Sequence, residues 1–208
     1  MAYPVTVHVE PAPAIRNRLT TAFRLILAIP HLILVGGAGF GVSYSGDTQS
    51  SAGAEGGLLG AVVLILAIVS WFTILASGRH IAEIRQFTSF YMRWRTRALA
   101  YLMLLADPFP PFGDVPYPAS FSIDEPQVPR NRVSVAFRLF LAIPHFIVLV
   151  FVMLAWYCTT AVAWVMILVT GRYPSRLYGF SVGALRWRLR VDAYLLLLVD
   201  DYPPFSLE

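Results

Sequence analysis

Charged positions are absent from long stretches of this chain and crowded into the segments between them. In the first half the apolar runs are Phe23 to Val42 and Leu58 to Ser77, separated by a Gly/Ser-rich stretch. Each is about 20 residues long, the length a bilayer core requires of a helix. In the second half the 32 residues from 139 to 170 carry no Asp, Glu, Lys or Arg. As one helix they would extend about 48 Å at 1.5 Å per residue, well beyond a core of about 30 Å. A pair of spans turning near Trp156 to Thr160 is therefore expected. Shorter patterns flank these runs. Tyr3 to Glu10 and Tyr117 to Asp124 alternate apolar and polar residues, the period of a strand. Around 81–105 and 174–199 a helical face is visible in Val191, Tyr194, Leu195 and Leu198, while Arg186, Arg188 and Arg190 alternate. The expectation there is an amphipathic interfacial helix, ending in a strand before each PPF turn.

The chain repeats itself. Residues 16–31, RNRLTTAFRLILAIPH, recur at 130–145 as RNRVSVAFRLFLAIPH, a shift of 114. Residues 93–112, RWRTRALAYLMLLADPFPPF, recur at 186–205 as RWRLRVDAYLLLLVDDYPPF, a shift of 93. Two such blocks in the same order mark a duplication, with repeats at 1–115 and 116–208. The difference in shift places an insertion of 21 residues in the first copy, within GGAGFGVSYSGDTQSSAGAEGG at 36–57. Polar residues inserted between apolar runs suit a loop outside the membrane, which again favours two spans per copy.

Composition and charge extend the same picture. Of 208 residues 57% are hydrophobic and 13% charged, about half the charge of an average soluble domain. Residues 1–14 have no Lys or Arg and no long apolar run, so no cleavable signal peptide is expected there. All 16 basic residues are arginine. With four spans every arginine falls on one side and the opposite side keeps Asp47 and Glu55, so the positive-inside rule places both termini in the cytoplasm. The expected fold is an all-α membrane protein: four transmembrane helices as two tandem hairpin repeats with pseudo-two-fold symmetry, plus cytoplasmic amphipathic helices and short β-strands. An even number of spans per copy sets that axis along the membrane normal.

The FRLxLAIPH block, the Gly-Arg after the second span and the RWRxRxxAYLxLLxDxxPPF ending resemble bacterial membrane proteins grouped as domain of unknown function 4389. The resemblance covers nearly the whole chain, twice. It implies a multi-span fold in a bacterial cytoplasmic membrane and brings no known activity with it. The first copy departs from the pattern in its loop and in GRHIAEI, where the second has GRYPSRL.

Candidate chemistry is sparse. His31 and His145 each follow a proline inside an apolar run, and ionisable groups at membrane depth are candidate functional sites. Symmetry could set them face to face as a bis-histidine haem or metal site, or along a transport path; the plainer reading is structural. Arg16, Arg18, Arg24 and their counterparts Arg130, Arg132, Arg138 form one basic collar. Arg93, Arg95, Arg97 and Arg186, Arg188, Arg190, interleaved with Trp94 and Trp187, form another. Arginine beside tryptophan at headgroup level is the expected anchor for anionic lipid. Asp107 and Asp200 stand where they can pair with arginines of their own repeat. Cys158 is the sole cysteine, and Walker, HExxH and CxxC motifs are missing from the sequence. No cofactor, metal or nucleic acid is expected. The leading expectation is a non-enzymatic scaffold or accessory subunit contacting anionic lipid, as a homo-oligomer or in a larger membrane complex. The rivals are a small transporter or channel with a path along the repeat axis, and a membrane haem or redox protein using His31 and His145.

Overall fold

A computed structural model of the chain describes residues 3–11, 15–37, 51–113, 115–124 and 130–208, with the side chains of 51–55 left out. The first repeat runs β1 (Val5–Val9), α1 (Arg18–Ala22), α2 (Arg24–Val35), α3 (Ser51–Ser77) and α4 (Ala82–Leu102). The second runs β2 (Ala119–Ile123), α5 (Arg132–Ala136), α6 (Arg138–Thr170) and α7 (Ser175–Leu195). The fold is mostly helical with one small antiparallel sheet. Two helical stretches, Gly56–Ser77 and Arg138–Thr170, are long and apolar enough to cross a membrane.

Local chemistry explains the boundaries. Asn17 and Asn131 accept backbone N–H groups at the starts of α1 and α5, the usual work of an N-cap side chain. Phe23 and Phe137 leave the helical region at ψ 10° and 9°, bending the chain just before the buried Arg24 and Arg138. Gly78 and Gly171 close α3 and α6 at φ 72° and 73°, a left-handed position where a Cβ would be strained.

The expected hairpin in the second copy is absent: α6 is one helix of 33 residues that passes through Trp156 to Thr160 without a turn. Nothing between Pro144 and Gly171 breaks a helix; the reasoning from bilayer thickness presumed a helix aligned with the membrane normal. The first copy holds the same helix in two pieces. α2 supplies its first 12 residues, and α3 beyond Gly57 supplies the rest. Gly57 lies so close to the end of α2 that a Cβ on it would stand 2.5 Å from the Leu34 carbonyl carbon. Gly36 and Gly57, at φ 75° and 65°, let the chain leave the helix and rejoin it at nearly the same point. The insertion is thus spliced into the middle of one long helix rather than placed between two spans; Asp47 and the side chain of Glu55 lie outside the described residues. We call α1–α2–α3 and α5–α6 the two frames.

Contacts between the copies come in exchanged pairs. The Arg16 amide donates to the Gly171 carbonyl and the Arg130 amide to that of Gly78, at 2.8 and 3.1 Å. Trp164 Nε1 donates to Thr21 O and Trp71 Nε1 to Val135 O, both at 3.0 Å. Each frame therefore starts against the end of the other, so the two are antiparallel. β1 and β2 pair antiparallel with Val7 opposite Phe121, equivalent positions of the two copies. The strands alternate in burial, their inner side chains joining the core. α4 and α7 lie between frames and sheet: α4 packs on α2, α3 and β2, α7 on α6 and β1, and the two touch each other. They are continuous helices, with no closing strand before the PPF turns. The main core is built from their inward faces, the inner strand residues, and Val35, Val63, Met153 and Trp156 of the frames.

Candidate functional site

The arginines expected to form lipid-gripping collars are mostly turned inward. Arg16 and Arg24 both reach Asp107, at 2.6 and 3.2 Å, and Arg130 and Arg138 both reach Asp200, at 2.6 and 2.9 Å. Arg24 is 2% exposed, as is Arg138. Arg24 also donates to the carbonyls of Tyr101 and Ala106, and Arg138 to that of Tyr194. Each guanidinium lies over the ring of that tyrosine, 4.5 and 4.4 Å from the centroid, within range for a cation–π contact. These braces hold the turns that follow α4 and α7. There Leu104 and Leu197 adopt φ 65° and 62°, a strained position for a leucine, worth about 1–3 kcal/mol each. Asp107 and Asp200 pair within their own repeats, as their place in the sequence suggested.

Each histidine is held in a clasp. Trp94 Nε1 donates to His31 Nδ1 at 3.0 Å, and His31 Nε2 lies 3.1 Å from the Pro110 carbonyl. Since Nδ1 accepts, Nε2 carries the proton and donates to that carbonyl. Phe112 stacks on the ring at 4.6 Å and Phe109 covers it at 4.9 Å. In the second copy Trp187 donates to His145 Nδ1 at 3.2 Å, with Phe205 stacked at 4.0 Å and Tyr202 at 4.8 Å. Each imidazole is enclosed by its own copy's tryptophan and PPF or PPF-like segment. Facing a partner histidine is thus not what these rings do, and neither has an Nδ1 lone pair left for a metal. Among the described residues, no three His, Cys, Asp or Glu side chains are grouped as a metal site would need.

Between the copies, Asp192 lies 3.0 Å from Arg188 Nε and 3.7 Å from Arg95 Nε. Arg95 and Arg188 are equivalent residues, whereas the counterpart of Asp192 is Leu99. Arg95 also donates to Val35 O at 2.7 Å, and Tyr91 to Gly56 O at 3.2 Å. These bonds take up carbonyls that the splice strips of helical partners. Arg186 Nε donates to Val7 O, tying α7 to the sheet. Arg97 donates to the Gly113 carbonyl. Arg93 is half-buried in a groove of about 300 Å³ with Arg85, Gln86 and Ser89, against Phe121 and Ile123 of β2.

Arg18 and Arg132 remain exposed. Their guanidinium groups sit over Gly171 and Gly78, at the C-termini of α6 and α3, where the helix dipole favours a cation. Arg172 and Arg79 follow directly and are exposed too. Next to Arg79, burial and then the nearby Arg130 and Arg85 hold His80 below the ordinary imidazole range. Burial raises Tyr3 and Tyr117 far above the usual phenol range, so they stay neutral donors to Asp201 O and Pro108 O.

The largest feature is the outer surface of the frames. Most of the exposed large apolar side chains lie on them, among them Leu25, Ile29, Ile65, Phe72, Phe140 and Phe151. The only charged residues between Phe23 and Val35, between Leu58 and Ser77, or between Phe137 and Thr170 are the buried Arg24 and Arg138. α4, α7 and the strands contribute no exposed large apolar side chain. Sequence patterning found the apolar stretches of the frames but not their arrangement, and it missed Asp192, Leu104 and Leu197. Asp192 differs from its repeat mate, a signal available in the sequence; the positive φ of a leucine leaves none.

No curated protein and no solved structure matches the chain. Residues 56–113 and 132–206 match the family described as a domain of unknown function (DUF4389). The first match begins where α3 rejoins the interrupted helix. These segments amount to well over half of the sequence, one in each repeat, and the chain belongs to the DUF4389 family, carrying its domain twice.

Proposed function

We propose that this protein is a non-catalytic, bilayer-embedded scaffold or accessory subunit that contacts anionic lipid. The observation that carries the reading is the uncharged outer surface of the two frames, bordered at their tips by Arg18, Arg172, Arg132 and Arg79. An apolar patch this large, rimmed by charge, marks an interaction surface, and cations at its rim suit anionic headgroups. The headgroup contacts belong to these tip residues; the inward arginines and both tryptophans brace the fold. The histidine clasps weaken both rival readings, because His31 and His145 are enclosed separately instead of lining a shared path or ligating a cofactor.

Flotation of purified protein with vesicles tests the proposal. Binding should favour vesicles containing phosphatidylglycerol over purely zwitterionic ones. Arg18→Gln and Arg132→Gln should each lower that preference roughly five-fold, for about 1 kcal/mol per arginine near an anionic surface. Equal binding to both vesicles, unchanged by the two substitutions, would remove the anionic-lipid part.

A further inference from the structure

We infer that the frames lie along the plane of one leaflet, their apolar surface sunk into it and the sheet held in water, rather than crossing the bilayer. The inference rests on the membrane reading above and gives it an orientation.

Three observations carry it. The first is where the polar elements sit. Tyr91 of α4 bonds the Gly56 carbonyl, and Arg95 bonds Val35, so the middle of α4 lies over the midpoint of the first frame. Ser89 and Arg93, close to Tyr91 in sequence, line a groove with Phe121 and Ile123 of β2. In the other copy Arg186 of α7 bonds Val7 at the centre of β1. The sheet is thus stacked over the frame midpoints, with Thr6, His8 and Ser120 exposed. If the frames crossed a membrane, these groups and both open edges of a two-stranded sheet would be at mid-bilayer. Open sheet edges exposed to lipid are not tolerated there, because their backbone groups find no partners.

The second is the distribution of the arginines at the tips of the frames. Because the frames are antiparallel, Arg18 and Arg172 stand at one end of the pair and Arg132 and Arg79 at the other. A crossing orientation would put equivalent arginines on opposite sides of the membrane, against the bias that normally sets topology. Lying flat, the frames bring all four to headgroup level on one side.

The third is length. At 1.5 Å per residue, the 33 residues of α6 extend about 50 Å. Fitting that into a core of about 30 Å needs a tilt of roughly 53°, outside the 0–40° found for spanning helices. Helices lying at an interface ordinarily carry a strongly charged face. Here the whole molecule supplies it, since α4, α7 and the sheet cover the inner side of otherwise apolar frames. Between the frames a cleft of about 400 Å³, lined by Leu25, Met103, Tyr157, Thr160 and Trp164 above Arg24, is nearly all apolar and of a size to take part of an acyl chain. The approximate two-fold that exchanges the copies then stands along the membrane normal, without four spans.

The test is one-sided labelling in sealed vesicles prepared from cells expressing the full chain, with Cys158→Ser as background. Arg18→Cys and Arg132→Cys report the two ends of the frames, and Thr6→Cys reports the sheet. A membrane-impermeant maleimide should label all three from the same side and none of them from the other. Labelling of residues 18 and 132 from opposite sides, or a residue 6 shielded from both, overturns the flat orientation while leaving membrane embedding in place. If a tip variant fails to accumulate, residue 6 alone still decides. Recovery of the protein as a soluble dimer with its apolar surface covered by a second copy would overturn the membrane reading itself.

Discussion

Asp107 and Asp200 show how much depends on single carboxylates in this molecule. Each neutralises one of two buried guanidinium groups and anchors both. Removing one partner of a buried ion pair typically costs about 3–5 kcal/mol, because the other charge is left uncompensated. Asp200→Asn should therefore lower the thermal midpoint in detergent steeply, and Asp107→Asn should do the same; a change of under a degree for either would show that its brace contributes little. In the clasps, Trp94→Phe keeps an aromatic ring, smaller than the indole, and deletes the N–H that His31 Nδ1 accepts. The unsatisfied nitrogen should cost about 1–3 kcal/mol, read as a fall in denaturant midpoint, with Trp187→Phe behaving alike. The sequence made the residues of these clusters visible, because His31, Trp94, Asp107 and the PPF turn all recur in the second copy. It did not reveal their direction. An arginine between apolar runs reads equally well as a headgroup ligand or as an inward brace, and only the carbonyls of Tyr101, Ala106 and Tyr194 decide for the latter.

Among the elements, the interrupted helix of the first copy is the most instructive. The strands were legible from alternation, and α4 and α7 as helices from their apolar face, but these two helices are buried between frames and sheet instead of lying at an interface, and neither ends in a strand. The four-span count was not, because an insertion of polar residues looks the same in sequence whether it joins two helices or buds from one. What separates the cases is the meeting of Gly57 with Leu34. That geometry makes a specific prediction. Deleting residues 36–56, with Gly57→Val and Tyr91→Ala to match Val150 and Ala184 of the second copy, should fuse α2 and α3 into one helix like α6. Circular dichroism should show helical content retained, with a thermal midpoint no lower than that of the parent. Loss of cooperative unfolding would mean that the two pieces are not one helix. Conversely, Gly57→Ala in the intact chain should destabilise clearly more than Gly179→Ala, since a Cβ at Gly57 meets backbone within 2.6 Å and one at Gly179 meets nothing within 4 Å.

At the scale of the whole molecule, the duplication produces an object with two unlike sides. One is the uncharged surface of the antiparallel frames; the other presents the strands and the outer faces of α4 and α7. The apolar content of that first side was plain from composition, whereas its coherence as a single surface depends on the copies packing in exchanged pairs, which no pattern within one copy specifies. The central claim is that this surface is solvated by lipid. Spin labels at Phe151→Cys, near the middle of α6 and 67% exposed, and at Ser120→Cys on the outer face of β2, each introduced into Cys158→Ser protein in vesicles, test it most directly. Collisions at residue 151 should be frequent with oxygen and rare with a water-soluble nickel chelate, and the reverse should hold at residue 120. Free access of the nickel chelate to residue 151 would contradict the account.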